Sequence, residues 1–250
     1  MQKHKQLFKR LQEEAKDDPA VIGFFLGGSR GKGRATRYSG YDVYIIVKDT
    51  KLASYKRKYP RLRYEGFDLL LSSHSQFKKH AAWMGDMHWA RYNFTHLKVA
   101  VDKKDIQQLV NDKAKIPKQH QKAFVAGNLD GYINYIYRSL KCFRDKNIVG
   151  ARLEAALSIQ YFFDVIFGMH GRTRPYYKYL KWELTDFPLT KFPLKPATII
   201  SSTLKILETA DVRTQQKLLG LVEKALRKEG YGKVFDSWGP NFSWMMRFKP

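Results

Sequence analysis

Four glycines, a serine and two basic residues stand together in Gly27-Gly28-Ser29-Arg30-Gly31-Lys32-Gly33, and Ser39-Gly40-Tyr41-Asp42-Val43 follows shortly after. Glycines let the backbone turn its N–H groups toward an anion. Ser29 adds a hydroxyl, and Arg30 and Lys32 add positive charge. Asp42, beside Tyr41 and Val43 to Val47, and Asp68, between Phe67 and Leu69-Leu70-Leu71, are carboxylates set in apolar runs. A carboxylate entering a buried strand needs a partner or a metal ion. Gly28, Ser29, Arg30 and Lys32 are therefore candidates to hold a phosphate, and Asp42 and Asp68 a cation. The competing structural readings are a turn capped by Ser29 and ordinary strand-start aspartates.

The spacing excludes two familiar phosphate loops. A P-loop needs four residues between its first Gly and its Gly-Lys, followed by Ser or Thr. Here Gly27 and Gly31 enclose three, and Gly33 follows the lysine. A dinucleotide fingerprint would need a following helix and β–α–β unit, which the pattern lacks.

The elements that would position these residues are legible from periodicity. Leu7, Phe8, Leu11 and Ala15 predict an amphipathic helix over residues 3–17, ended near Asp18-Pro19. Ala20 to Leu26 and Tyr41 to Val47 predict strands on either side of the glycine turn. Lys51 to Tyr59 predicts a short helix, and Arg61 to Ser73 a third strand. Short helices are expected around 77–83 and 87–94, and a fourth strand at Leu97 to Val101. Asp105 is expected to cap a helix carrying Ile106, Leu109 and Val110. Ile116-Pro117 breaks the pattern, which divides the chain into a mixed α/β half, 1–116, and a helical half, 117–250. In that second half, Leu153, Ala156, Leu157, Tyr161 and Val165 mark the expected apolar face of a helix from Val149 to Met169. The fold class expected is α+β: a mixed sheet flanked by helices, then an all-α bundle.

Composition narrows the setting. The 250 residues carry 46 Lys and Arg against 23 Asp and Glu, a net charge of +23 that draws polyanions. Basic residues are spread along the chain, so much of the excess reads as solvated surface, and nucleic acid is possible but not favoured. No stretch approaches the roughly 18 apolar residues of a membrane helix, and the N-terminus lacks a signal-peptide core. A cytoplasmic protein without membrane partners is the expectation. The single cysteine, Cys142, excludes a disulfide framework and reads as a buried structural thiol. The histidines at 74, 80, 88 and 96 lack ligand spacing, and Trp238, Phe242 and Trp244 read as packing for the tail.

Gly28-Ser29, a gap of about ten residues, and Ser39-x-Tyr41-Asp42 opening a strand resemble the signature of the polymerase-β-like nucleotidyltransferase superfamily. Gly66-Phe67-Asp68-Leu69 stands where that family has a third carboxylate. A helical C-terminal half follows, as in aminoglycoside and lincosamide nucleotidyltransferases, and the segments 151–155 and 171–182 resemble the helical half of uncharacterised bacterial members. The resemblance implies Mg²⁺ at Asp42 and Asp68, a nucleoside triphosphate on the glycine turn, and transfer of a nucleoside monophosphate to a hydroxyl of a small molecule held between the two halves. It also implies Glu154 as a candidate base in catalysis, and Arg138 and Lys178 as candidates to reach a phosphate. The chemistry is coherent, because two divalent ions can neutralise the triphosphate and align the attacking hydroxyl. Two carboxylates separated by one residue on a strand share a face. The chain departs from the family here: Gly40 stands where the first Asp of Asp-x-Asp is expected. Three explanations follow: a natural pseudoenzyme kept as a silent nucleotide- or RNA-binding module, an engineered inactive form, or replacement by another carboxylate such as Glu65; weakened or lost activity is the expectation. A toxin–antitoxin-type component is a further reading.

Overall fold

The computed structural model describes residues 2–60, 63–64, 67–85 and 87–250. The chain forms two compact units, Met1–Lys115 and Ile116–Pro250. The class is α+β, with a mixed sheet and flanking helices in the first unit and helices in the second.

The first unit opens with α1 (Gln2–Asp17), followed by β1 (Val21–Leu26), a single helical turn α2 (Gly28–Gly31) and β2 (Tyr41–Val47). After α3 (Leu52–Lys58) come β3 (Arg63–Tyr64), β4 (Phe67–Ser73) and α4 (His74–Lys79). A 3-10 segment, His88–Phe94, leads to β5 (Val99–Asp102) and α5 (Ile106–Lys113). Among the described residues the sheet order is β3-β4-β2-β1-β5. β2 and β4 run parallel, and the other neighbours are antiparallel. A parallel pair cannot be joined by a tight turn, and α3 lies in the connection that returns the chain. The expected strand over residues 61–73 is thus split into β3 and β4. Glu65 and Gly66 lie outside the described residues.

Both faces of the sheet are covered, which is why its strands read as nearly continuous apolar runs. Val43, Ile45, Val47, Phe67 and Leu69 pack with Leu7 and Leu11 of α1 and Tyr55 of α3. Tyr44, Ile46 and Phe25 pack on the other face with Phe77, Ala90, Phe94, Ile106 and Val110. Alternation along β2 and β4 therefore sends Asp42 and Asp68 toward the second of these faces.

The cap of α5 differs from expectation. Asp105 occupies the position before the helix in a left-handed conformation (φ 52°) and makes no side-chain cap. Asp102 does this instead, accepting from the N–H groups of Ile106 and Gln107 at 2.8 and 2.9 Å. The irregular stretch between α4 and β5 is held by buried cations. Arg91 donates to the carbonyls of Ala81, Asp112 and Lys115 at 2.8, 2.6 and 2.6 Å. Lys113 donates to those of Lys78 and His80 at 3.0 and 2.5 Å. An irregular segment has no ladder to satisfy its carbonyls, and charged donors satisfy several at once.

The second unit holds α6 (Lys118–Arg144), α7 (Ile148–Gly168), α8 (Tyr177–Asp186), α9 (Pro196–Thr209), α10 (Val212–Lys228), α11 (Gly232–Asp236) and α12 (Gly239–Arg247). Its core runs from Val125, Ile133 and Leu140 on α6 through Phe162, Phe163 and Ile166 on α7 to Leu218 and Val222 on α10. The Trp238 indole N–H donates to Asp130 at 2.9 Å, and the rings of Trp238 and Trp244 both meet Tyr137. The tail thus packs as expected. Two other expectations are corrected. Leu153 and Leu157 are exposed at 63% and 52%, because α7 turns Ala151, Ala155, Ile159 and Phe162 inward instead. Cys142 is half-buried rather than buried. No described helix is long and apolar enough to cross a membrane.

Burial, with a smaller contribution from nearby Arg91, lowers the Lys113 ammonium to about 8. Between about pH 8 and the ordinary lysine value near 10.5, the unfolded chain holds this proton and the folded chain does not. Stability from this group therefore rises with pH across that window. Urea unfolding of the wild-type chain and of Lys113→Met at pH 7.5 and pH 10 should show the difference between them shifting toward wild type by about 2 kcal/mol at the higher pH.

Candidate functional site

The glycine turn begins where β1 ends. The Gly27 N–H donates to the Asp42 carbonyl at 2.7 Å, so the turn is fastened to the first residues of β2. The N–H groups of Gly31 and Lys32 then close on the carbonyls of Gly27 and Gly28 at 2.8 and 3.2 Å, forming one helical turn. Gly28 takes a left-handed conformation (φ 54°). A Cβ on it would lie 1.9 Å from Oδ2 of Asp42. The Asp42 carboxylate thus lies directly against the bare Cα of Gly28, and no other residue type fits there.

Asp68 joins Asp42 through the sheet. The two residues are direct partners in the parallel β2–β4 register, so their side chains leave the same face from strands about 5 Å apart. Asp42 is half-buried and Asp68 exposed. The residues on either side, Tyr41 and Phe67, stack on the opposite face with ring centroids 4.7 Å apart. One register pairing thus puts two aromatic rings into the core and two carboxylates beside the glycine turn.

Ser29 lies within this group, its hydroxyl 3.0 Å from that of Ser39, which also accepts from the Thr36 N–H at 2.8 Å. Arg30 holds the approach to β2: Nε donates to the Gly40 carbonyl at 2.9 Å and Nη2 to the Ser39 carbonyl at 2.8 Å. Its guanidinium also lies 4.2 Å over the Tyr41 ring. Tyr41 points away from the Asp42 face, so Arg30 is drawn toward the far side and acts first as a clamp on residues 39–41.

Lys32 corrects the sequence expectation more sharply. Its ammonium is buried and donates to the carbonyls of Tyr92, Asn93 and Thr95 at 3.0, 3.2 and 2.5 Å and to Thr95 Oγ1 at 2.9 Å. A lysine committed in this way is no phosphate ligand. It fastens the glycine turn to the end of the 3-10 segment 88–94. Lys32 joins Arg91 and Lys113 as a third buried cation satisfied by main-chain carbonyls.

Gly40 stands two residues before Asp42, with open space around it. A Cβ there would meet nothing within 4 Å, and its φ is one that other residues adopt. The position lacks a carboxylate, but it has room for one.

The remaining expected residues belong to the second unit. Arg138 and Glu154 pair with each other, Nη2 to Oε1 at 2.5 Å. Glu154 Oε2 is buried without a hydrogen-bond partner among the described residues. Lys178 is exposed, with its ammonium 4.8 Å from the Tyr179 ring.

Among the described residues no group of three or more His, Cys, Asp and Glu side chains converges as a metal site. Asp42 and Asp68 still suit one Mg²⁺. That ion takes oxygen donors and commonly binds through one or two carboxylates, with substrate phosphates and water completing the shell. The histidines show no such convergence, and burial lowers the pKa of His74 and His80, which suits neutral packing roles. Trp89 and Met87 lie in the short helix expected over 87–94 and are not among the expected site residues. Both are exposed, at 59% and 40%.

No protein-family model matches the chain, and no curated protein is similar to it. Among solved structures, the chain is similar to a nucleotidyltransferase-like protein from Exiguobacterium sibiricum. The two share 12% identity and superpose with a TM-score of 0.46, over 94% of this chain and 79% of that one.

Gly28→Ala should break the arrangement. The added methyl displaces the Asp42 carboxylate and forces a left-handed alanine, so unfolding free energy should fall by about 2 kcal/mol or more in chemical denaturation. Gly33→Ala also sits at positive φ (68°) but meets nothing within 4 Å, and should cost only about 1 kcal/mol.

Proposed function

We propose that the chain binds a Mg²⁺-complexed nucleoside triphosphate at Gly28, Ser29, Asp42 and Asp68, as a nucleotidyltransferase-like protein. The observation that carries this reading is the shared face of Asp42 and Asp68, with the Asp42 carboxylate against Gly28. The Ser29 hydroxyl and the first N–H groups of the turn are the donors for the outer phosphates. The two carboxylates would hold the metal ion. Arg30 and Lys32 shape the site by fixing residues 39–41 and 92–95. A bound Mg²⁺ would supply charge neutralisation on the triphosphate.

In the active form of this reading, a hydroxyl oxygen of a small-molecule acceptor bonds to the α-phosphorus. Pyrophosphate leaves, and the hydroxyl proton passes to a base. Glu154 is assigned no step, because it is already paired with Arg138. The acceptor class stays open: a net charge of +23 favours anionic acceptors over polycationic ones. A second reading, a nucleotide-binding protein with little or no turnover, is favoured by Gly40, where a carboxylate would complete the cluster. The net charge also allows an RNA ligand, whose affinity would fall steeply with salt.

The test is calorimetric titration with Mg-ATP, combined with an assay for pyrophosphate release. The wild-type chain should bind and turn over weakly. Gly40→Asp should tighten Mg²⁺-dependent binding and raise transfer at least about tenfold. Asp42→Ala and Asp68→Ala should abolish the metal dependence. If Gly40→Asp changes neither quantity, Gly40 does not face the carboxylate pair and the reading of this strand fails.

A further inference from the structure

We infer that Trp89 is the stacking platform for the nucleobase of the bound nucleotide, an inference that rests on the nucleotide reading of the glycine turn. The argument starts from Lys32. Its ammonium bonds the carbonyls of residues 92, 93 and 95, which holds the 3-10 segment 88–94 against the turn carrying Ser29. The same ammonium lies 4.7 Å from the Tyr92 ring, which is buried. Side chains three apart in a 3-10 helix eclipse one another, so Trp89 lies on the Tyr92 face, one turn of about 6 Å further on. There the segment reaches solvent, and the indole is 59% exposed.

The carboxylate pair leads to the same segment by a second route. Tyr44 follows Asp42 by two residues on the same face of β2, and its ring meets Phe94 at 5.9 Å. The segment bearing Trp89 thus covers the sheet face from which Asp42 and Asp68 project. Its backbone is fixed from behind by Arg91, whose guanidinium holds the carbonyls of Ala81, Asp112 and Lys115. A large exposed aromatic on a rigidly held segment, beside a phosphate-type turn, suits a planar π ligand. Base–aromatic stacking tolerates different bases because each has a π face. Stacking of this kind should set affinity more than base identity.

Calorimetry on the full chain separates this role from phosphate binding, using Mg-ATP and Mg-tripolyphosphate as probes. Trp89→Ala should weaken Mg-ATP by about tenfold and leave tripolyphosphate unchanged, and Trp89→Phe should keep affinity within about threefold of wild type. Equal weakening of both probes in Trp89→Ala would make the residue structural and overturn the inference. So would Mg-ATP binding that Trp89→Ala leaves intact, or a Trp89→Phe loss as large as that of alanine. A wild-type chain that binds neither probe would overturn the nucleotide site and this inference together, whereas wild-type binding insensitive to residue 89 would overturn this inference alone.

Discussion

The carboxylate of Asp42 occupies the space that a side chain on residue 28 would need, and the first unit is arranged around that exclusion. Gly28 must be left-handed and bare, which ends β1 in a tight helical turn rather than letting the strand run on. The Gly27 N–H bonded to the Asp42 carbonyl locks the turn to β2. The parallel pairing of β2 with β4 then delivers Asp68 to the same face. A one-residue slip in that register would send Asp68 into the core and Phe67 or Leu69 to the site, so the pairing is specified by burial as much as by hydrogen bonds. Tyr41 stacked on Phe67 is the buried side of the same constraint.

Charge within this unit does unexpected work. On a chain with 46 basic residues, Lys32, Arg91 and Lys113 are buried, and their bonds to main-chain carbonyls hold an irregular connection in place. Burying a cation is costly without such partners. Each of these cations bonds two or more carbonyls that no helix or strand would otherwise satisfy. The result is a 3-10 segment, residues 88–94, held between the glycine turn and the end of α5 by side-chain cations, which is the physical basis for giving its exposed aromatic a role.

The second unit shows how a hydrophobic helix conceals its own phase. α7 is apolar nearly all round, so Leu153 and Leu157 fit an inward face as well as Ala155 and Ile159 do. The packing of α6 and α9 decides between them, and the larger leucines are left outside. In the same unit the two charges expected to act on a ligand, Arg138 and Glu154, neutralise each other across α6 and α7. Sequence spacing has no means of revealing such a pairing between helices.

The sequence by itself indicated an α+β chain, the two strands on either side of the glycine turn and the long helices that follow residue 117. Those features are local: strand alternation, helix period and glycine clustering all act within a few residues. Asp102 in place of Asp105 as the cap of α5 shows the limit even of local reading, since a left-handed Asp105 hands its role to a residue three earlier. The tertiary structure alone decided which side chains come together beside the glycine turn. Asp42 and Asp68 are 26 residues apart and meet only through the β2–β4 register. Lys32 reads as a phosphate ligand in the sequence, but three carbonyls some 60 residues away accept its hydrogen bonds, because a buried ammonium goes to the acceptors that folding brings to it. The end of the 3-10 segment 88–94 is held to the glycine turn through these same bonds, which no spacing along the chain encodes.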